Sequence, residues 1–223
     1  RDDAGILGES GTSILFGGDS IDGDTISGGR LTIGTWIDPG FTTGLGVRLF
    51  GMEDNVVGFA ANSDDFPILA RPFFNVFTDE EDALLLGFPD DLEGDIQVQM
   101  KTETTGAQAF VRQWLRSGCN YRIDLVYGYR YLQVQEWLTI DNRLEFVDAE
   151  TPNFGTEITQ QDHFEAENDY NGGEIGLMGQ SVDGPWTLDF LATIAFGEMR
   201  ERVTISGNTV AAPPTGDPAE LVG

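Results

Sequence analysis

The segment from Asn120 to Ile140, NYRIDLVYGYRYLQVQEWLTI, alternates so regularly that its two faces can be read separately. Tyr121, Ile123, Leu125, Tyr127, Tyr129 and Tyr131 fall on one face, and Arg122, Asp124, Gly128 and Arg130 fall on the other. A period of two is that of a strand, since a helix would bring its apolar residues round three and four positions apart. One face is rich in tyrosine and the other carries both signs of charge within a few residues. That division suits a wall between lipid and water better than the dry interior between two sheets.

Other stretches repeat the pattern. In GGRLTIGTWID, Leu31, Ile33 and Ile37 oppose Arg30, Thr32 and Trp36; DPGFTTG then supplies turn residues, and LGVRLFGM returns, which makes a hairpin. Ile96, Val98, Met100 and Thr102 oppose Gln97, Gln99, Lys101 and Glu103, and Ala109 and Val111 are set against Gln108, Arg112 and Trp114. Around the tight-turn sequence SVDGP, Glu174 to Gln180 precedes a strand in which Trp186, Leu188, Phe190, Ala192, Ile194 and Phe196 face away from Thr187, Asp189 and Thr193. FPILARPFFNVF carries two prolines, so it is no regular central strand; it reads as an extended segment tucked against or inside the structure. EDALLLGFPDDLEG fits a short apolar strand or a helical turn, and periodicity does not choose between them. The sequence thus divides into an N-terminal loop with one short strand at Ile14–Phe16 (1–27), a β domain (28–207) whose longest loop is polar (141–173), and a Pro/Gly-rich loop or linker (208–223).

Charge and length bound the function. With 38 acidic residues against 12 basic ones the net charge is −26, which repels nucleic acid and the anionic cytoplasmic leaflet alike. The 223 residues are enough for one large all-β domain, and 29 glycines point to many tight turns and little helix. Cys119 has no second thiol to pair with. No run approaches the roughly 20 apolar residues of a spanning helix, and RDDAGILGES lacks the charged-then-apolar order of a leader.

The fold expected is all-β, with eight to ten strands in an antiparallel up-and-down transmembrane β-barrel that is incomplete in this chain; the alternative is a soluble β-sandwich with one wet face. With the tyrosines toward lipid, Arg30, Arg48, Gln97, Gln99, Lys101, Arg122, Asp124, Arg130 and Asp189 would line or plug the lumen. Trp36, Trp114, Tyr121, Tyr131, Trp137 and Trp186 fall near predicted strand ends, where amphipathic rings favour the membrane interface.

Five blocks in order carry a family likeness: GGRLTIGTWID at 28–38, FPILARPFFNV at 66–76, RIDLVYGYRYLQVQEWLTI at 122–140, NGGEIGLMGQ at 171–180 and WTLDFLATIAFGEMRERVTISG at 186–207. Together they resemble the planctomycete family of outer-membrane β-barrel porins called beta-barrel porin-seven. The resemblance implies a barrel in the outer membrane of a Gram-negative-type cell envelope and brings no catalytic residues with it. Members continue past a Pro-rich loop into further strands, whereas this chain stops at Gly223 and has no closing strand with a terminal aromatic residue. Closure is therefore expected from a further segment of the same precursor or from another copy, because an open edge in lipid leaves backbone groups unbonded.

The chemistry is sparse. Asp19, Asp22 and Asp24 put three carboxylates in a glycine-containing loop, a weak calcium candidate that lacks the later bidentate glutamate of an EF-hand; a hydrated acidic turn is the simpler reading. The same holds for the acidic clusters at 79–82 and 90–95. His163 stands alone without a GxSxG-type nucleophile motif, so neither an enzyme nor a cofactor is expected. The expected function is passive diffusion through a porin-like channel, or a structural role in the envelope, with outer-membrane lipid as partner. Acidic loops would enrich cations at the mouth while basic lumen residues oppose that bias. The rival is a non-channel β-rich surface protein pairing with copies of itself.

Overall fold

The computed structural model describes residues 4–18, 21 and 25–222, and among them there is no helix. Ten strands follow one another: β1 (Gly28–Trp36), β2 (Thr43–Met52), β3 (Asn55–Asn62), β4 (Leu69–Asn75), β5 (Glu80–Gly87), β6 (Leu92–Ser117), β7 (Tyr121–Phe146), β8 (Glu157–Asp183), β9 (Trp186–Ala212) and β10 (Ala219–Val222). Eight form one antiparallel sheet in the order β1-β2-β6-β7-β8-β9-β10, with β3 beside β2 along the same edge of β6, while β4 and β5 pair only with each other. The sheet curls into a half-barrel.

Strand length sets the architecture. β6 to β9 each run 26 or 27 residues, about 86 Å at roughly 3.3 Å per residue, far longer than the 9–11 residues that cross a bilayer. The segment 141–173, expected as a loop, is mostly the upper half of β7 and β8, and only 147–156 connect them. Its polar side chains alternate on a paired strand, which composition alone cannot distinguish from a loop. The tail, expected as loop or linker, is likewise the end of β9 and all of β10, with Ala219 opposite Ala211 and Val222 opposite Asn208. The short strand expected at Ile14–Phe16 does not form; Phe16 instead stacks on Phe59 of β3, ring centres 5.1 Å apart.

The two halves of the sheet have opposite polarity. Up to Tyr131 in β7 and the residues level with it in β6, β8 and β9, the convex face is apolar: Leu31, Ile33, Leu45, Val47, Leu125, Tyr129, Ile175, Leu188 and Ile194 all point outward, Ile33 with 65% of its surface open. Above that level the apolar residues move to the concave side. Leu92, Ile96 and Leu144 there bury themselves against Ala61, Leu69 and Leu86, with Phe59, Val98, Ile140 and Ile158 around them. The convex side becomes a polar ladder, in which Tyr131 donates to Asp169 (2.8 Å), Gln133 to Glu167 (3.1 Å) and Gln161 to Asp141 (2.7 Å), and Arg143 pairs with Glu157 (2.6 Å). The phase shift occurs at Tyr131–Leu132 in β7 and around 104–107 in β6.

The proline-containing segment lies inside, as β4 of a hairpin laid across the upper concave face. Pro72 is tolerated because β4 bonds to β5 alone and needs no ladder on its outer edge. Arg71 anchors the hairpin through an ion pair with Asp162 and a bond to Asn142 (3.3 Å), both on the sheet's inner face. Leu86 is fully buried beneath it. Leu86→Ala should therefore cost about 2–5 kcal/mol, the usual range for emptying such a site, read as a lower denaturant midpoint for loss of native structure.

Candidate functional site

The concave face of the lower half gathers the charged groups. Antiparallel register arranges them in rows that cross the sheet, because residues opposite one another share a face. One row reads Thr32, Arg48, Gln108, Arg130, Gly172 and Gly197. The next reads Gly34, Gly46, Phe110, Gly128, Glu174 and Ala195, and the next Trp36, Gly44, Arg112, Val126, Gly176 and Thr193. Glycines opposite the large rings make room for them: a Cβ on Gly46 would fall 2.4 Å from the Phe110 ring.

Two constellations result. Near the short turns, Asp124 is completely buried and accepts from Arg112 Nε and from Arg122 Nε (2.9 Å), while Arg122 Nη2 donates to the Phe41 carbonyl (2.7 Å). Both guanidinium groups lie over the Trp36 ring, 5.0 and 4.4 Å from its centre. One carboxylate thus binds two cations against an aromatic face, which ties β1, β6 and β7 together at that end. Two rows, or four residues, along the strands from Trp36 and Arg112, Arg48 Nη1 donates to Gln108 Oε1 (2.6 Å) and its Nε to Thr32 (3.3 Å), and Arg130 Nη1 lies 4.0 Å from the buried Glu174 carboxylate. A cleft of about 580 Å³ opens against Arg30, Arg48, Gln108 and Arg130, bounded across the trough by Leu191 and Thr193 of β9.

Arg30, Arg48, Arg122, Asp124, Arg130 and Asp189 all fall on this face; Asp189 accepts from Gln180 (2.8 Å) in the row opposite Arg122. Gln97, Gln99 and Lys101 do not. They lie on the convex side of the upper half, where Lys101 pairs with Asp54 (2.8 Å) and Glu103 and sits 5.0 Å from the centre of the Trp137 ring. Those two carboxylates hold the Lys101 ammonium above its ordinary pKa. The reason for the misplacement is the polarity reversal: Ile96, Val98 and Met100 point into the core, not outward.

The aromatic placements divide too. Tyr121 and Trp186 stand on the convex face at the turn end, and Tyr131 on the same face ten positions up β7. Trp137 is convex but lies above the apolar band, whereas Trp36 and Trp114 point to the concave side, Trp114 Nε1 donating to Ser117 Oγ (3.2 Å). Asp19, Asp22 and Asp24 lie outside the described residues. Among those described, no three His, Cys, Asp or Glu side chains converge as a metal site, and Cys119 is free and exposed.

The residues that sequence reasoning missed are Glu174, Arg112 and Gln108. The signal for Glu174 was its alternation with Ile175 and Leu177, which assigns it to the inner face, in the same parity as Gly172 and Gly176.

A family model described as Putative beta barrel porin-7 matches residues 1–220. No curated protein and no solved structure matches the chain.

Two outcomes test this geometry. Asp124→Ala leaves Arg112 and Arg122 facing each other uncompensated and should cost about 3–5 kcal/mol, more than Asp189→Ala at the exposed end, in paired denaturation curves. In the β1–β2 turn, Asp38 accepts from the Thr42 amide (2.9 Å) and from that of Thr43, which holds its carboxyl below the ordinary value. A depressed folded value means the contribution is present above the unfolded pKa of about 4 and is lost as pH falls through the lower folded one. Hydrogen exchange at the Thr42 and Thr43 amides, corrected for intrinsic rates, should lose protection over that window in the native chain and lack it at every pH in Asp38→Ala.

Proposed function

The chain belongs to the beta barrel porin-7 family, and on that footing we propose that it forms part of an outer-membrane β-barrel through which small polar solutes diffuse passively. The observation that carries this reading is the lower half of the sheet, a band about ten residues tall in β7, from Tyr121 to Tyr131. At roughly 3.3 Å per residue and a tilt near 40°, it stands about 25 Å high, the height of the apolar belt of a barrel in lipid. From Ala107 to Gln113, Tyr121 to Tyr131, Asn171 to Ser181 and Trp186 to Phe196, every charged side chain is on the concave face. Water within the trough would solvate those charges, while the outward leucines, isoleucines and tyrosines meet hydrocarbon. Catalysis has no part in this reading.

The sheet's free edges, β1 on one side and the lower part of β9 on the other, would need partners in lipid, supplied by further strands of the same precursor or by another copy. These edges also favour the rival reading, a β-rich surface protein that pairs with copies of itself without conducting. The two separate on reconstitution: passive diffusion predicts stepwise currents in planar bilayers and heat-modifiable gel mobility in detergent, and a protein soluble without detergent and silent in bilayers would sink the channel.

Leu177→Arg, on the outward face at mid-band, should oppose insertion by about 2–4 kcal/mol, seen as a lower fraction of folded protein in vesicles. Gln97→Arg, on the convex upper half, should leave insertion unchanged in the same assay.

A further inference from the structure

We infer that the row formed by Arg48, Gln108 and Arg130, with Arg30 beside it, is a binding site for a small oxyanion, a phosphate or a carboxylate. The inference rests on the channel-wall reading above and adds a ligand class to it. Three guanidinium groups border one cleft of about 580 Å³. Glu174 offsets one of them, with its oxygen 4.0 Å from Arg130 Nη1, and lies buried one row away from the opening. The remaining positive charge has no carboxylate among the described residues to pair with, and a trough walled by low-dielectric protein makes such repulsion costly without a counter-ion.

The donor accounting agrees. A guanidinium carries five N–H donors. Arg48 commits two of its nitrogens, to Gln108 and Thr32. Arg30 makes no hydrogen bond or ion pair with the described residues, and Arg130 has only its long contact with Glu174. Most of the fork-shaped donors are therefore free, and that planar fork matches the oxygen spacing of phosphate and carboxylate. Arg48 and Arg130 flank Gln108 on adjacent strands, so their backbones stand about 10 Å apart. That spacing lets two long side chains lean over Gln108 and grip one anion between them. On the β8 side the row continues to Gly172, where the Tyr170 ring covers the space over the glycine, so the cleft opens on the β1 and β2 side, against Gly28, Gly29 and Gly51.

The test is equilibrium binding to the detergent-solubilised protein at low chloride, with inorganic phosphate and succinate titrated separately. The expected result is saturable binding of at least one of them, weakened by added salt. Whichever ligand binds more tightly identifies the phosphate or the carboxylate class. Arg48→Gln and Arg130→Gln should each weaken binding about tenfold or more, the factor that corresponds to about 1.4 kcal/mol, with Arg48→Lys in between and Lys101→Gln without effect. Arg30→Gln breaks no contact of the folded wall and serves as the variant of record if either of the others loses its heat-modifiable mobility. No saturable binding of either anion, or affinity unchanged in the folded Arg→Gln variants, would overturn the site. Currents in bilayers are scored separately: conductance without anion binding refutes this site alone, and binding without conductance refutes the channel alone.

Discussion

The hydrogen-bonded ladder running unbroken through β6, β7, β8 and β9 is the constraint on which everything else depends. Every residue from Tyr121 to Glu145 of β7 is paired with β8, and nearly every one of them with β6 on the other side. Because the side-chain period is two and the ladder admits no slip over that length, each residue is committed to one face by its parity alone. The exception is the irregularity between Trp114 and Arg116, at the turn end of β6, below the rows of Arg48, Arg112 and Arg130, with Arg122 just beyond it opposite Ser117. Charges can then be gathered on the inner face without any one strand carrying more than two or three of them.

The same ladder serves two solvents. Below Tyr131 the outside is apolar and the inside charged, and above it the order is reversed. Nothing in the backbone changes at that level; only the sequence pattern shifts phase by one residue. The core beneath the β4–β5 hairpin follows from the reversal, since Leu144, Ile96 and Leu92 need a dry partner and find it in Leu69 and Leu86. Much of the acidic excess sits in the upper half as a hydrated ladder, where carboxylates such as Asp141, Glu165, Glu167 and Asp169 lie on the convex side.

The fold class and the outward face of 28–38, 121–131 and 186–196 were legible in the sequence, because a period-two pattern with one charged face leaves little freedom. The inward placement of Arg30, Arg48, Arg122, Asp124, Arg130 and Asp189 followed from the same parity. What was not legible had a common cause. The pattern in Ile96–Met100 looks like that in Tyr121–Tyr131, yet its apolar side meets a protein core rather than the outside, and alternation alone is the same in both cases. That is why Gln97, Gln99 and Lys101 were assigned to the wrong side, and why Trp137 stands above the band. Trp36 and Trp114 were assigned by nearness to strand ends, whereas their even parity, shared with Arg112, places them inside. Pairing also lies beyond composition: the polar run at 141–173 reads as loop until its partners in β6, β8 and β9 are known.

The length of the upper half has a consequence for how a solute would experience this protein. From Leu132 to Phe146 β7 climbs 15 residues, about 40 Å above the apolar band after allowing for tilt, which is several times the roughly 8 Å over which physiological salt lets a charge be felt. The acidic ladder starts low in this half, with Asp169 opposite Gln133 only three residues from Arg130, while its top, at Asp141 and Glu157, stands well beyond that range of the arginine row. A solute moving down such a trough would meet the field of the upper carboxylates before that of the arginines, while Asp169 and Glu167, at the junction, would bear on both.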